Sequence, residues 1–233
     1  GHAMTCNYCD KENARRKALE AFWANDINDV FSDVASYYNR INAFASLGML
    51  NTWRQRFIDT IEVKPNDKVL DVCAGTNVIG IDLLKKQPEL DVYAVDRSAA
   101  MQEVGRADAQ NLGFEINSTI CDVHKLPFPD NHFDVVTLQY ATRHLQVADV
   151  FSEINRVLKP GGHFYHCDML RPSNKVVEKA YYLYLRMALP FLSWVFRSGV
   201  VARECTDYFI NAIRLFYSTD ELSTLLAELG YSD

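Results

Sequence analysis

Three aspartates, each placed at or near the end of a short apolar run, are the residues of this chain whose type and spacing could bind a ligand. They are Asp71, Asp96 and Asp122. Short apolar runs predict buried parallel strands, and the carboxyl ends of parallel strands meet at one edge of a sheet. Because open sheets bind ligands at that edge, the three carboxylates predict a binding site there.

The stretch from Lys68 to Asp96 predicts a strand, a tight loop, a helix and a second strand. Its loop, from Ala74 to Asn77, consists of small and turn-forming residues, and Gly75 lets the backbone approach a ligand closely. An acid at the end of the second strand is how Rossmann-like folds hold the ribose of an adenosine. The stretch therefore predicts an adenosine cofactor and leaves its kind open.

Cysteine spacing gives a weaker signal. The pair Cys6 and Cys9 would suit a redox dithiol or half of a zinc site, but neither a second such pair nor a pair of histidines lies nearby. We interpret this segment as an inert tail and predict no metal. The other cysteines form no disulfide framework and no signal peptide is recognisable, which favours a reducing cytoplasm. We interpret Gly1 to Met4 as a remnant of tag cleavage.

Composition favours one domain that acts on a small molecule. The 233 residues are 48% apolar and 23% charged, enough for one sizeable core. We predict a tail over residues 1–29 and a single domain over residues 30–233. The net charge of -6 argues against a nucleic-acid partner held through its phosphates.

Strands and helices alternate along the domain, which predicts an α/β fold with a mostly parallel sheet and helices on both faces. Ser98 is a candidate N-cap, and a turn over residues 159–162 separates a helix from the last strand. The predicted strands cover residues 68–73, 91–95, 114–121, 133–139 and 163–168, and the predicted helices cover residues 11–23, 54–61, 78–87, 98–111, 147–158 and 219–230.

Two aromatic segments are candidates for lids over a substrate, residues 30–62 and the helical insertion 171–218. The plain alternative is that their aromatic side chains belong to the core. Arg186 and Arg197 interrupt the second segment and Pro190 is predicted to break its helix, which argues against a membrane span. A hydrophobic pocket is favoured, and contact with a membrane surface remains the alternative.

Two longer motifs place the chain near a known family. One is the run from Tyr38 to Asn42, followed by Ser46, Gly48 and Trp53; the other is the run from Arg156 to Gly162, followed by Asp168. Together with the run from Leu126 to Asp134, they resemble the class I S-adenosylmethionine-dependent methyltransferases of the UbiE/COQ5 type. Those enzymes methylate ring carbons of demethylated ubiquinol or menaquinol precursors. The resemblance extends from about Val30 to Tyr231.

The resemblance implies S-adenosyl-L-methionine as the cofactor and a small hydrophobic aromatic, most simply a demethylated quinol, as the substrate. Asp96 would take the ribose hydroxyls, and Asp122 with Val123 would surround the adenine. The complete set of implied cofactor contacts is Asp71, Gly75, Thr76, Asn77, Asp96, Arg97, Met101, Asp122, Val123 and Gln139.

The methyl acceptor must lose a phenolic proton before its ring carbon can attack. The resemblance implies that Arg143, in the loop after the fourth strand, takes part in this step together with Asn39 of the first lid. His144 follows Arg143 and would be a better general base than the asparagine found there in the family; an ordinary surface histidine is the alternative. The implied substrate contacts are Tyr38, Asn42, Trp53, Tyr140 and Tyr181.

The chain departs from the family pattern in the cofactor loop, in the first lid and at its end. Cys73 and Asn77 stand where glycines are common, and Asn39 and Ala43 stand where the lid has acids. The chain also stops where a terminal strand hairpin is expected, which would leave the fifth strand exposed for contact with a second subunit. Two alternatives therefore stay open: another phenol, amine or thiol as acceptor, and a non-catalytic binding protein.

Overall fold

The computed structural model describes residues 9–23, 49–139, 145–167, 175–195 and 219–231. Five parallel strands form one sheet in the order β3-β2-β1-β4-β5. Their bounds are Lys68–Val72 for β1, Asp91–Asp96 for β2, Asn117–Ile120 for β3, Phe133–Gln139 for β4 and Leu158–Cys167 for β5. The strand order reverses between β1 and β4, the point where sheets of this class bind ligands.

Seven helices accompany the sheet in the described part of the chain. They are α1 Cys9–Trp23, α2 Met49–Thr60, α3 Val78–Lys86, α4 Ala99–Asn111, α5 Val147–Val157, α6 Lys175–Val195 and α7 Thr219–Glu228. The predicted α/β fold is confirmed. Most of the first predicted lid and part of the second lie outside the described residues, so the division into lids stays a prediction.

Two apolar cores cover the two faces of the sheet, because successive side chains of a strand point in opposite directions. Val69 of β1 packs in one core with Phe57 and Ile61, while Leu70 and Val72 pack in the other. The second core contains the buried face of α5 and two leucines of α7. The hydroxyl of Tyr231 then donates to the carbonyl oxygen of Phe151 at 2.6 Å, which ties the chain after α7 to α5.

Arg156 joins two of the motifs that the sequence presents separately. Its guanidinium donates to the carbonyl oxygens of Leu126 and Phe128 and to the carboxylates of Asp130 and Glu153, at 2.8 to 3.0 Å. These bonds fix the proline-containing turn over residues 126–130 against α5.

Several predicted boundaries were wrong, among them the start of α2, which begins at Met49 and not at Arg54. Four further differences have a local physical reason. β1 ends at Val72 because Cys73 has a φ of 55°, which is incompatible with a strand. The third strand starts only at Asn117, since the N–H of Phe114 still donates to Ala109 at the end of α4. Helix α6 runs through Pro190, so the predicted break there was wrong; a proline removes a single helical hydrogen bond and can kink a helix without ending it.

The fourth correction concerns the predicted turn over residues 159–162, which lies inside β5 as a bulge. Leu158 pairs with Phe133 and His163 pairs with Val135, so five positions of β5 span two of β4. Gly161 has a φ of 80°, and a Cβ at Gly162 would lie 2.9 Å from the carbonyl oxygen of Lys159. The glycine pair is therefore what lets the strand accommodate its extra residues.

Cys9 opens α1 and is disulfide-bonded, and the interpretation of its segment as an inert tail stays a prediction. Within the described residues, Cys73, Cys121 and Cys167 form no disulfide. Lys11 forms an ion pair with Glu221 at 2.6 Å and thereby links α1 to α7.

Candidate functional site

The carboxyl ends of β1, β2 and β4 bring predicted cofactor residues to one edge of the sheet. Asp71 pairs in register with Ala94 of β2 and Thr137 of β4, and Asp96 closes β2. Both aspartates are buried. Buried carboxylates need hydrogen-bond donors, and the structure supplies different donors to each.

Asp96 holds the cofactor loop and the start of α4 with one carboxylate. Its Oδ2 accepts from the N–H of Gly75 and its Oδ1 from the N–H of Ser98, both at 2.8 Å. Burial raises the pKa of Asp96, and these backbone N–H groups offset part of that rise. The backbone N–H of Arg97 also acts on this carboxylate. Because a carboxylate has about four acceptor positions, acceptor capacity remains for a ribose hydroxyl.

The cofactor loop adopts the turn that a glycine-rich loop would, although it contains one glycine. Cys73, Gly75 and Asn77 have φ values of 55°, 55° and 62°. Asparagine occupies this left-handed region more readily than most residues, whereas cysteine does so at a cost. At Gly75 the backbone conformation is what favours glycine, since a Cβ there would lie 3.3 Å from the terminal methyl of Met101, a flexible group that can shift.

Gln102 holds this loop in place, and sequence reasoning missed it. Its side-chain N–H group donates to the carbonyl oxygen of Gly75 at 2.9 Å and to Oδ1 of Asn77 at 2.8 Å. Its own oxygen accepts from the hydroxyl of Ser118 on β3. The signal was present but weak: a polar residue on the predicted inner face of α4, next to Gly105, where a Cβ would strike the loop at 2.7 Å.

Asp71 is more deeply buried than Asp96, the other buried strand-end acid. Desolvation raises its pKa from 3.8 to about 7; the hydroxyl of Thr137, donating at 2.8 Å, opposes this rise, and the negative charge of Asp96 adds to it. Near neutral pH the site therefore contains one carboxyl group close to its titration point. A cationic ligand group at this edge would favour the ionised form.

Asp122 and His124 form a hydrogen-bonded turn after β3. Oδ1 of Asp122 accepts from the backbone N–H of His124 at 3.0 Å and contacts His124 Nδ1 at 2.6 Å. Partial desolvation would raise the pKa of Asp122, but these two bonds and the charge of Arg97 lower it overall. Asp122 is exposed, so it presents an ionised carboxylate at the predicted adenine position.

A side-chain donor at the end of β4, unpaired among the described residues, is a further reason why these residues fit an adenosine cofactor. The side-chain nitrogen of Gln139 is buried, and no described residue accepts a hydrogen bond from it. A buried donor without an acceptor costs about 1 to 3 kcal/mol, so an oxygen-bearing ligand at this edge would stabilise the site. Of the other predicted cofactor contacts, Thr76 and Val123 are buried and Arg97 is exposed.

The predicted cofactor residues thus lie in the described part of the chain, whereas most predicted acceptor residues do not. Trp53 on α2 and Tyr181 on α6 are both half-buried, and their roles stay predictions. The remaining predicted residues, outside the described ranges, are Tyr38, Asn39, Asn42, Tyr140, Arg143 and His144. Within the described ranges, no group of three His, Cys, Asp or Glu side chains could hold a metal ion.

Comparison with known sequences gives one family. The model of the ubiE/COQ5 methyltransferase family matches residues 19–233. The chain is 35% identical over 212 residues to a ubiquinone/menaquinone biosynthesis C-methyltransferase, UbiE, of Burkholderia cenocepacia, covering 89% of this chain and 84% of the relative. It is 30% identical over 208 residues to the protein of the same name from Dinoroseobacter shibae, covering 88% and 82%.

Comparison with solved structures supports the same fold. A putative methyltransferase of Bacillus halodurans superposes with a TM-score of 0.59 at 23% identity, covering 77% of this chain and 68% of that one. A geranyl diphosphate C-methyltransferase of Streptomyces coelicolor, solved with S-adenosyl-L-homocysteine, gives 0.55 at 18% identity, covering 76% and 59%. At these identities the likeness concerns the fold alone.

The raised pKa of Asp71 predicts a pH-dependent stability. Between about pH 4 and pH 7 the folded state keeps a proton that the unfolded state releases, so Asp71 makes the free energy of unfolding fall as pH rises. Relative to the parent, Asp71→Asn should therefore gain stability with rising pH, by at most about 1.4 kcal/mol per pH unit, up to about pH 7. Denaturant unfolding from pH 5 to pH 8 measures this difference. Asp108→Asn, on an exposed position of α4, is the matched control and should show no such trend.

Replacing the loop support should weaken cofactor binding. Gln102→Glu keeps the shape of the side chain but turns its two donated bonds into contacts between acceptors, so we expect at least about tenfold weaker S-adenosylmethionine binding. Titration calorimetry measures the dissociation constant. Gln110→Glu introduces the same charge on an exposed turn of the same helix and should leave binding unchanged. Equal affinities for the two variants would contradict the role of Gln102.

Proposed function

The chain belongs to the ubiE/COQ5 methyltransferase family and is an S-adenosylmethionine-dependent methyltransferase, and we propose that it transfers the methyl group to a ring carbon of a demethylated quinol. The observation that carries this proposal is the match over residues 19–233, joined to relatives at 30–35% identity whose names specify ubiquinone and menaquinone biosynthesis. The strand-end carboxylates supply the cofactor half of the site.

On this proposal, the described residues bind and orient the cofactor. Asp96 takes both ribose hydroxyls, Asp122 accepts from the adenine amino group, and Gln139 donates its unused N–H to the cofactor. Bound S-adenosylmethionine would supply a methyl group on a sulfonium sulfur. The loop supported by Gln102 fixes the backbone at Gly75, so the methyl group is presented in one orientation.

The acceptor half of the proposal is assigned to Arg143, His144 and Asn39. A quinol ring carbon becomes nucleophilic when its phenolic O–H is deprotonated, because the oxygen lone pair then delocalises into the ring. His144 takes that proton, and Arg143 stabilises the resulting oxyanion. Asn39 orients the hydroxyl from the first lid. Attack of the ring carbon would break the bond between the methyl carbon and the sulfur and leave S-adenosylhomocysteine, and loss of the ring proton to water would restore aromaticity.

Methyl transfer to a demethylated menaquinol analogue with a short side chain tests the reaction. We expect the parent protein to convert it to a product heavier by one CH2 unit, because a methyl group replaces a ring hydrogen, and mass spectrometry detects this difference. Arg143→Ala and His144→Ala should lower kcat with little change in cofactor affinity. Asp96→Ala should instead weaken cofactor binding by about 1 to 3 kcal/mol.

Other outcomes would select the alternatives. Normal cofactor binding without transfer to any demethylated quinol, but with transfer to another phenol, amine or thiol, would change the substrate class. Absence of S-adenosylmethionine binding at millimolar concentration would contradict the assignment of the cofactor site and favour a non-catalytic protein. Full kcat in both loop variants would remove Arg143 and His144 from the chemistry.

We further propose that α6 contacts the surface of an anionic lipid bilayer, where a quinol substrate would reside. Leu183 and Met187 are 61% and 68% exposed and share an apolar face of the helix with other exposed apolar residues. Lys175 and Lys179, one turn apart, lie along the border of that face. An apolar face bordered by basic residues is typical of helices that bind in the plane of a membrane. No described helix is long and apolar enough to cross a bilayer.

Vesicles of equal parts phosphatidylcholine and phosphatidylglycerol test this contact. We expect the parent to sediment with them, and the double variant Leu183→Ser with Met187→Ser to remain in the supernatant. Leu112→Ser is the matched control, since Leu112 is 51% exposed at the end of α4. Lys175→Glu with Lys179→Glu should reduce binding in low salt. Two outcomes would contradict the lipid contact. One is equal sedimentation of the parent and all variants. The other is a concentration-dependent dimer of the parent that the double variant Leu183→Ser with Met187→Ser no longer forms.

A further inference from the structure

His124 connects two parts of the site that are distant in sequence. Its Nε2 accepts from the backbone N–H of Gln146 at 3.0 Å, directly before α5. An acceptor at Nε2 places the proton of the neutral ring on Nδ1, which then donates to Oδ1 of Asp122 at 2.6 Å. One imidazole thus bridges the turn after β3 and the start of α5.

Both ends of the bridge adjoin the apolar core. His124 is largely buried, with a side chain 19% exposed. Val123 before it, and Leu145 and Val147 around Gln146, belong to the same apolar core. Because the core fixes both ends, displacement of one end of the bridge would strain the other.

The two ends serve different parts of the reaction. Oδ1 of Asp122 is taken by His124, and no described residue donates a hydrogen bond to Oδ2, which leaves that oxygen for the adenine amino group. Gln146 follows the segment 140–144, which carries Arg143 and His144 in the sequence. The backbone N–H that His124 holds is therefore the point where the chain leaves the predicted acceptor loop.

We infer that His124 is a positioning residue that couples cofactor binding at Asp122 to the placement of the chain entering α5. This inference rests on the proposed function and deepens it. Bound cofactor orders Asp122; Asp122 orders the imidazole; and the imidazole orders the N–H of Gln146. The coupling acts through two hydrogen bonds on opposite nitrogens of one ring, so each can be removed separately.

Two substitutions separate the two bonds. His124→Asn keeps a donor at the position of Nδ1 and loses the acceptor at Nε2, whereas His124→Gln keeps an acceptor near Nε2 and loses the donor near the backbone. We expect His124→Asn to bind S-adenosylhomocysteine within about twofold of the parent but to lose about tenfold in kcat. We expect His124→Gln to bind it several-fold more weakly and to retain more of kcat at saturating cofactor. His163→Asn, at an exposed histidine of β5, is the matched control.

Hydrogen exchange of the Gln146 amide, measured by NMR, is independent of the methyl acceptor. In the parent, S-adenosylhomocysteine should slow this exchange; in His124→Asn the exchange should be fast with or without it; and His124→Gln should restore protection. Identical behaviour of the two variants, or no effect of the ligand on Gln146 in the parent, would overturn the coupling. If the exchange follows the expected pattern but no quinol is methylated, the substrate assignment fails and the coupling stands.

Discussion

The site depends on one buried carboxylate that two backbone segments share. Asp96 accepts from Gly75 in the cofactor loop and from Ser98 at the start of α4, each at 2.8 Å. A buried carboxylate without such donors would be strongly destabilising, so the loop and the helix are held where they can supply them. The same geometry leaves acceptor capacity at the edge of the sheet. On the proposed function, both the stability of the fold and the binding of the cofactor would thus depend on the side chain of Asp96.

The cofactor loop has only one glycine, and neighbouring elements offset the lack of others. Asn77 adopts a left-handed conformation and fixes its side chain through Gln102, which is anchored in turn by Ser118. Gly105 on α4 supplies the space that the loop itself does not, since a Cβ there would lie 2.7 Å from Thr76. In this chain, the small residue that lets the loop and the helix pack closely is therefore Gly105 of the helix.

The sequence predicted the elements and the strand-end acids because both depend on local patterns. Apolar runs, Ser98 as N-cap and the aspartates at Asp71, Asp96 and Asp122 follow from periodicity and from the general behaviour of parallel sheets. Gln102, Thr137 and His124 could not be found in this way, since their roles arise from contacts between distant segments. Likewise the bulge in β5 depends on its register with β4, which composition does not encode. Arg156 explains why two family motifs occur together: it hydrogen-bonds one to the other.

The pairing of β1 with β4 has a consequence for the order of folding. β1 is joined to β2 through one short helix, α3, whereas its other neighbour, β4, is separated from it in the chain by α3, β2, α4 and β3. Bringing β1 and β4 together requires closure of the whole intervening chain, which is slower than forming local contacts. The hydrogen bond between Thr137 and Asp71 joins these two strands, so we expect it among the last native contacts to form. The capacity to bind the cofactor would then appear only when the sheet is complete, and a partly folded chain could not retain it.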